Sequence, residues 1–267
     1  MNILAERSTF NISLMRAANF LNINSNILYD NKEIFNEFYR LKPDIFIGYA
    51  NNVNESWLRL FNKFDTKVYL ISDKEINLDI NNLNLIHQTD SIPNKNSIYL
   101  PFASDTLLYK PGKVVDTLIC DVVYDNPRKE YIEYVCYLIK KAHFRMFGDT
   151  DSGRYGTFPQ YLGFLTDELL CDVYRSSLFS LTFNNGNIIG PEYYKIWACG
   201  GLCLSLKNDL IQSKYGDLLV SFSDKDELLD KVSFIKNNHR IKKSIVVKSL
   251  QFAQENSYIE RVKQLLS

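Results

Sequence analysis

Apolar runs rich in β-branched and aromatic side chains alternate along the chain with stretches of helical spacing. Ile3-Leu4-Ala5, Asn26–Tyr29, DIFIG at Asp44–Gly48 and KVYLIS at Lys67–Ser72 read as strands. The last two are apolar on both faces, the signature of a buried parallel strand. Asn11–Leu21 reads as a helix, with Ile12, Leu14, Met15 and Ala18 towards one side. Ile34–Leu41 is a second helix, stopped before Pro43, and Ser56–Phe64 a third. Asn84–His87 and Ser97–Leu100 are shorter strand candidates. Repeated strand-helix-strand units of this kind build a parallel sheet with right-handed crossovers.

Pro101–Pro111 has no period and is bracketed by prolines, which marks it as an interdomain linker. A second alternation follows. Strands are expected at Leu118–Val123, Phe144–Phe147 (ending at Gly148), Leu178–Phe183, Leu202–Leu206 and Leu218–Phe222. Helices are expected at Arg128–Ala142, where Ile132, Val135, Cys136 and Ile139 form a stripe, and at Asp224–Asn237. Asp167–Ser176 is another, with Thr166 as N-cap and two acids in the first turn, where the helix dipole favours them. A last helix is expected from Lys243 to Leu266, with Ile259, Val262 and Leu266 on one face. The fold class is therefore α/β, with two Rossmann-like domains facing a cleft. The expected bounds are 1–103 and 104–245, with a C-terminal helix at 246–267 that packs back on the first domain.

The segment NGNIIGPEYYKIWACGG, ending at Gly201, carries the clearest chemistry. Pro191 suits the first position of a helix because its missing N–H would be unpaired there. Gly200 supplies the left-handed residue that stops one. Free amides from Gly190 to Tyr193 would make an anion site at the helix start. Strand, polar loop, phosphate-ready helix, strand is an arrangement suited to a nucleotide or nucleotide sugar.

Charge narrows the partners. Lys plus Arg and Asp plus Glu are equal at 31 each, so the overall basic charge of a dedicated nucleic-acid binder is missing. The five cysteines, 120, 136, 171, 199 and 203, read as free thiols in a reducing compartment. Cys199-x3-Cys203 spans a helix end and a strand with no His beside it, a poor metal spacing. The amino terminus runs straight into a strand without a signal-peptide pattern, and no apolar run is long enough to span a bilayer. A cytoplasmic protein is expected, in a bacterium or in a host cell if the chain is phage-encoded.

The linker LPFASDTLLYKP resembles the interdomain segment of GT-B glycosyltransferases. The run FGDTDSGRYGTFPQYLGFLTDELLCDVYRSSLFSLTFNN, followed by GPEYYKIWACGGLCLS, resembles the C-terminal half of the CgeB-like, spore-maturation-type glycosyltransferases. The likeness covers about Leu100 to Ser267. It implies transfer of a sugar from a nucleoside diphosphate donor held in the C-terminal half. The diphosphate would rest on the amides near Gly190 to Tyr193, at the helix start that Pro191 opens and Glu192 shares, and the base would lie near Gly148 and the Leu162–Thr166 segment, including Leu165. Arg128 would face the donor phosphates and stabilise the leaving diphosphate. The family usually carries a Glu where this chain has Lys195, and it holds the ribose hydroxyls. A second acid of the family is here Asn187, which leaves Glu192 as the nearest substitute.

Further candidates come from the residues themselves. Asn184, Asn185 and Asn187 offer hydrogen bonds to sugar hydroxyls or simply form a turn. Lys195 reads as a phosphate contact or a solvated helix residue, and Arg154 as a weaker ligand contact. Tyr155, Phe158, Tyr161 and Phe164 could stack on a ring or fill core. A general base, for an inverting enzyme, would come from the loop after the first strand, where Glu6 is the best candidate. His87, His143 and His239 lie in no motif. No cofactor or metal is expected. The acceptor is left open among a surface glycan, a protein, a small metabolite and a modified DNA base. The alternatives are a non-catalytic nucleotide-sugar sensor or scaffold on the same fold and, more remotely, an epimerase.

Overall fold

The computed structural model describes residues 1–72, 78, 80–88, 97–149, 158–184 and 189–267. The chain divides into two compact units. One is built from residues 1–103 with 257–267, the other from 104–256.

In the first unit β1 (Asn2–Glu6), α1 (Thr9–Phe20), β2 (Asn24–Leu28), α2 (Ile34–Leu41), β3 (Ile45–Tyr49), α3 (Glu55–Phe64), β4 (Lys67–Ile71), β5 (Leu83–His87) and β6 (Ser97–Tyr99) follow in order. The strands form one sheet in the order β2-β1-β3-β4-β5-β6, and every pairing is parallel. The apolar continuity of its central strands has a direct cause: both faces are covered. Leu4, Phe46, Val68 and Leu70 pack against Phe38, Trp57, Leu60 and Phe61 on one side. Ile3, Ala5, Ile45, Ile47 and Tyr69 pack with Phe10, Leu14 and Met15 on the other.

The second unit continues with β7 (Cys120–Asp125), α4 (Ile132–Lys141), β8 (Phe144–Phe147), α5 (Asp167–Ser176), β9 (Ser177–Thr182), α6 (Pro191–Ala198), β10 (Cys203–Leu206), α7 (Asp209–Tyr215), β11 (Leu219–Phe222), α8 (Lys225–Lys236) and α9 (His239–Glu255). Its sheet is also parallel, in the order β11-β10-β9-β7-β8. Helix starts are fixed by side-chain caps: Ser8 for α1, Asn54 for α3, Thr166 for α5, Asn208 for α7 and Asp224 for α8. Each such cap contributes about 1 kcal/mol.

The structure departs from the sequence reading in four places. The strand expected at Leu118–Val123 is shifted: Asp116–Leu118 form a 3-10 turn, and β7 runs on to Asp125, which pairs with Phe147. The helix expected from Arg128 begins at Ile132, because Asn126 is left-handed (φ 49°) and Lys129–Tyr131 make a 3-10 turn first. α7 is short and polar and gave no periodic signal.

The fourth departure is the last helix. It is not continuous from Lys243 to Leu266. α9 ends at Glu255 and is capped by Asn256, whose side chain bonds the Phe252 carbonyl at 3.1 Å. Ser257 then caps a new helix, α10 (Tyr258–Leu266). Short polar side chains that bond nearby backbone compete with helix continuation. α9 belongs to the second unit and α10 to the first, where Tyr258, Val262 and Leu265 join the core beside α1.

Candidate functional site

Open parallel sheets bind ligands beyond the carboxyl ends of their strands, at the point where strand order reverses. Each unit has one such point. In the first it lies between β1 and β3, in the second between β7 and β9. Each is marked by an acid at the last position of the unit's first strand: Glu6 on β1 and Asp125 on β7.

In the second unit a pocket of about 150 Å³ opens at that point. Its walls come from the end of β7 and the turn after it (Asp125, Arg128), from α5 (Tyr174), from the end of β9 (Thr182, Phe183) and from α6 (Glu192, Lys195). The Tyr174 hydroxyl donates to Asp125 Oδ2 at 2.7 Å. Phe183 is held by the ring of Tyr131, stacked at 3.8 Å with 7° between planes. Lys195 Nζ lies 5.6 Å from the centroid of the Tyr109 ring. Tyr109 is tied in turn to α5, its hydroxyl donating to Asp167 Oδ1 at 2.9 Å. Lys195 is therefore held by a fixed aromatic face rather than left to solvent.

The electrostatics are those of buried acids facing cations. Burial pushes the Asp125 carboxyl up from its ordinary value, while the Tyr174 hydroxyl and the charge of Lys195 pull it down. Burial also pushes Glu192 up; its own backbone N–H, Arg128 and Lys195 oppose this, and Asp125 adds to it. Tyr174, fully enclosed and bonded to Asp125, is held well above the usual phenol range by burial and then by that carboxylate. Two carboxyls, an ammonium and a guanidinium thus share one small volume. The bases can meet phosphoryl oxygens, and the acids can accept from hydroxyls.

The Glu192 carboxylate folds back over Gly190, so that a Cβ there would strike both of its oxygens. It lies at the start of α6 and accepts its own backbone N–H. The anion position expected at this helix start is occupied by the protein's own side chain. Pro191 opens α6 with Gly190 as N-cap.

Arg128, Pro191, Glu192 and Lys195 therefore share one pocket wall, and Gly148 stands beside it. Gly148 is left-handed (φ 87°), and a Cβ there would come within 2.5 Å of Asn126 Oδ1 and 2.7 Å of Asp125 Oδ1. The side chain of Tyr193 points into the core and shares a 2.6 Å hydrogen bond with Ser205, so only its backbone belongs to the helix start. Leu165 is half-buried just before α5 and does not line the pocket. Phe158 and Tyr161 pack on the core, and Phe164 is exposed. Asn185, Asn187, Arg154 and Tyr155 lie outside the described residues. Asp125, Tyr174 and Tyr109 were missed by sequence reasoning. The one local signal for Asp125 was the turn-forming Asp-Asn-Pro after a buried strand.

Glu6 is 2% exposed. Its Oε1 accepts from Asn52 Nδ2 at 3.0 Å and its Oε2 from the Tyr49 N–H at 2.5 Å. Burial raises its carboxyl above the usual range, against the pull of these bonds and of Asn31. It lines a pocket of about 360 Å³ with Arg7, Tyr29, Asp30, Asn31, Tyr49 and Asn52. His87, His143 and His239 line neither pocket. Among the described residues no group of three or more His, Cys, Asp or Glu side chains could hold a metal ion, and no helix is long and apolar enough to cross a membrane.

Two parallel-sheet α/β units, the second with a mixed-charge pocket at its switch point, define the architecture of the chain. Residues 128–267, just over half of the chain, match the family described as glycosyl transferase-like (Glyco_trans_1_2), and the chain belongs to that family. The fold is that of GT-B glycosyltransferases. It is similar to Anabaena HepE in complex with UDP-glucose, at TM-score 0.68 and 10% identity, covering 100% of this chain and 99% of that one. It is similar to a sucrose-phosphate synthase from Thermosynechococcus elongatus, at TM-score 0.70 and 10% identity, covering 100% and 97%. It is also similar to AviGT4, a glycosyltransferase of avilamycin A biosynthesis, at TM-score 0.62 and 11% identity, covering 100% and 98%. No curated protein matches the chain in sequence.

Proposed function

We propose that the chain transfers a sugar from a nucleoside diphosphate sugar to a hydroxyl acceptor, with the donor in the β7/β9 pocket. The observation that carries this reading is the pocket itself: Arg128 and Lys195 stand with Asp125 and Glu192 at the switch point of a unit whose family is glycosyl transferase-like. The UDP-glucose bound by HepE supports the same ligand class here.

Arg128 and Lys195 neutralise the leaving diphosphate, in a setting where preorganised charge is worth more than in water. Asp125, oriented by Tyr174, accepts from donor hydroxyls and so does the work of the family Glu that Lys195 replaces. Glu192 gives way from the start of α6 when phosphate arrives there. Gly190, Pro191 and Tyr193 contribute backbone, and Gly148 stands at the edge of the donor site. Glu6 takes the acceptor proton as the C1–oxygen bond to the new hydroxyl forms and the bond to the diphosphate breaks. Basic side chains and amides supply the charge stabilisation, so no metal is required. The likeness of the C-terminal half to CgeB-like enzymes favours that branch of the superfamily.

A thermal-shift panel of UDP, GDP, ADP, CDP and dTDP tests the reading. At 100-fold excess over Kd a native-state ligand adds about 2.7 kcal/mol, so one diphosphate is expected to raise the melting point clearly. Arg128→Ala is expected to cut that affinity by about tenfold or more, the loss of a charge-assisted contact. A flat panel would overturn the proposal. Lys195 in place of the acid, with Glu192 over the helix start, also favours a second reading as a nucleotide-sugar sensor. Binding without sugar release from any donor, across varied acceptors, would select it.

A further inference from the structure

We propose that the pocket at the β1/β3 switch point binds a pyranose ring of the acceptor, with the sugar's C–H face on Tyr29 and its hydroxyls on Glu6 and Asn52. This rests on the glycosyltransferase reading and names its acceptor class as a glycan. The pocket, about 360 Å³, is within the range of small-molecule sites.

Three features of its wall carry the assignment. The first is an aromatic ring that burial does not explain. Tyr29 directly follows β2 and is 71% exposed. It is nonetheless oriented, because the Arg7 guanidinium lies 5.3 Å from its ring centroid. An exposed ring held in one orientation is a ready platform for the apolar face of a sugar ring, since aromatic side chains offer large contact area at fixed geometry.

The second is the fixed carboxylate beside it. Glu6 is enclosed and bonded by Asn52 and by the Tyr49 N–H, and its backbone carbonyl accepts from Asn11 Nδ2 at 2.8 Å. A carboxylate accepts about four hydrogen bonds, so beyond those from the Tyr49 N–H, Asn52 and Asn31 one ligand hydroxyl can be added. The Asn52 carboxamide beside it brings both donor and acceptor capacity.

The third is charge. The lining holds two carboxylates, Glu6 and Asp30, and one guanidinium, Arg7. Asp30 is engaged locally, accepting from the Lys32 N–H at 2.9 Å. A wall with more acid than base repels a phosphate backbone, which nucleic-acid sites neutralise with Lys and Arg. Carboxylate, carboxamide and aromatic ring together fit a neutral polyhydroxylated ring.

The full-length protein should be titrated with methyl β-glucoside, methyl β-galactoside and methyl β-N-acetylglucosaminide, using saturation-transfer NMR and calorimetry. A serine-rich peptide and a DNA duplex serve as the competing classes. At least one glycoside is expected to bind. Tyr29→Ala is expected to weaken it by about tenfold, in line with the worth of an aromatic contact plus its area. Tyr29→Phe, which keeps the ring face, should bind as the wild type does. Melting curves of both variants check folding. The inference is overturned if no glycoside binds, if Tyr29→Ala binds as tightly as wild type, or if the peptide or the duplex binds in place of the sugars. UDP affinity of the wild type is measured in parallel. Glycoside failure with UDP binding intact defeats only this inference, whereas loss of UDP binding defeats the donor reading on which it rests.

Discussion

Asp125 and Glu6 hold the same topological place, each the last residue of its unit's first strand, and both are acids raised by burial. An acid whose folded value lies above its unfolded value is bound more tightly to its proton in the native state. The stability it contributes is fully present below the unfolded value and is lost as pH rises through the folded one. For Asp125 that window opens near the ordinary Asp value of about 3.9 and extends upward. Asp125→Asn is accordingly expected to melt higher than the wild type at pH 7, the gap closing as pH falls below about 4. The carboxamide can keep both neighbours, accepting from the Asn126 N–H and donating to the Tyr174 hydroxyl. Donor affinity should fall in the same variant, the usual exchange of function for stability. A pH series of melting curves beside UDP titrations checks both. A variant no more stable at pH 7 than at pH 4, relative to wild type, would show that the carboxylate carries no burial cost.

The end of β8 meets the end of β7 through one glycine. Gly148 turns with positive φ, its N–H donates to the Gly163 carbonyl at 2.9 Å, and its own carbonyl accepts from the Tyr161 hydroxyl at 2.7 Å. Gly148→Ala is expected to cost about 1–3 kcal/mol from the backbone region alone. The new Cβ would also push on Asp125 and Asn126. Urea unfolding should show the stability loss, and a weaker UDP shift should accompany it.

The elements around this contact also show what a sequence discloses. Buried parallel strands were legible because both-sided burial selects unbroken apolar runs. Helix α6 was legible because Pro191 and Gly200 punctuate it. Asp125 was not, since it follows the apolar run of β7, which ends at Tyr124, and a polar residue before Asn-Pro looks like loop, although pairing with Phe147 keeps it in the strand. Tyr174 and Tyr109 were illegible for another reason: Tyr174 reaches the pocket, and Tyr109 the Lys195 that lines it, from elements distant in sequence, and only packing brings them there. The break at Asn256 was hidden because the apolar stripe resumes on the far side of it.

At the scale of the whole chain, the last eleven residues are part of the first unit's core although they follow the second unit in sequence. Tyr258, Val262 and Leu265 are buried against α1, with the Tyr258 ring 5.5 Å from that of Phe10. The Tyr69 hydroxyl donates to the Leu265 carbonyl at 2.9 Å. Removing three such side chains from a core costs about 1.5–3 kcal/mol each, or about 5–9 kcal/mol together. That rivals the entire stability of a typical domain, about 5–15 kcal/mol. A chain ended after Asn256 is therefore expected to lose the first unit to proteolysis. The second unit, whose pocket residues all fall within 104–256, should survive and still gain stability from UDP. Limited digestion read by mass spectrometry, with and without UDP, distinguishes the outcomes. Protection of residues 1–103 in the truncated chain would mean that α10 decorates the first unit rather than completing it, and digestion of both units alike would mean that the second depends on the first for its fold.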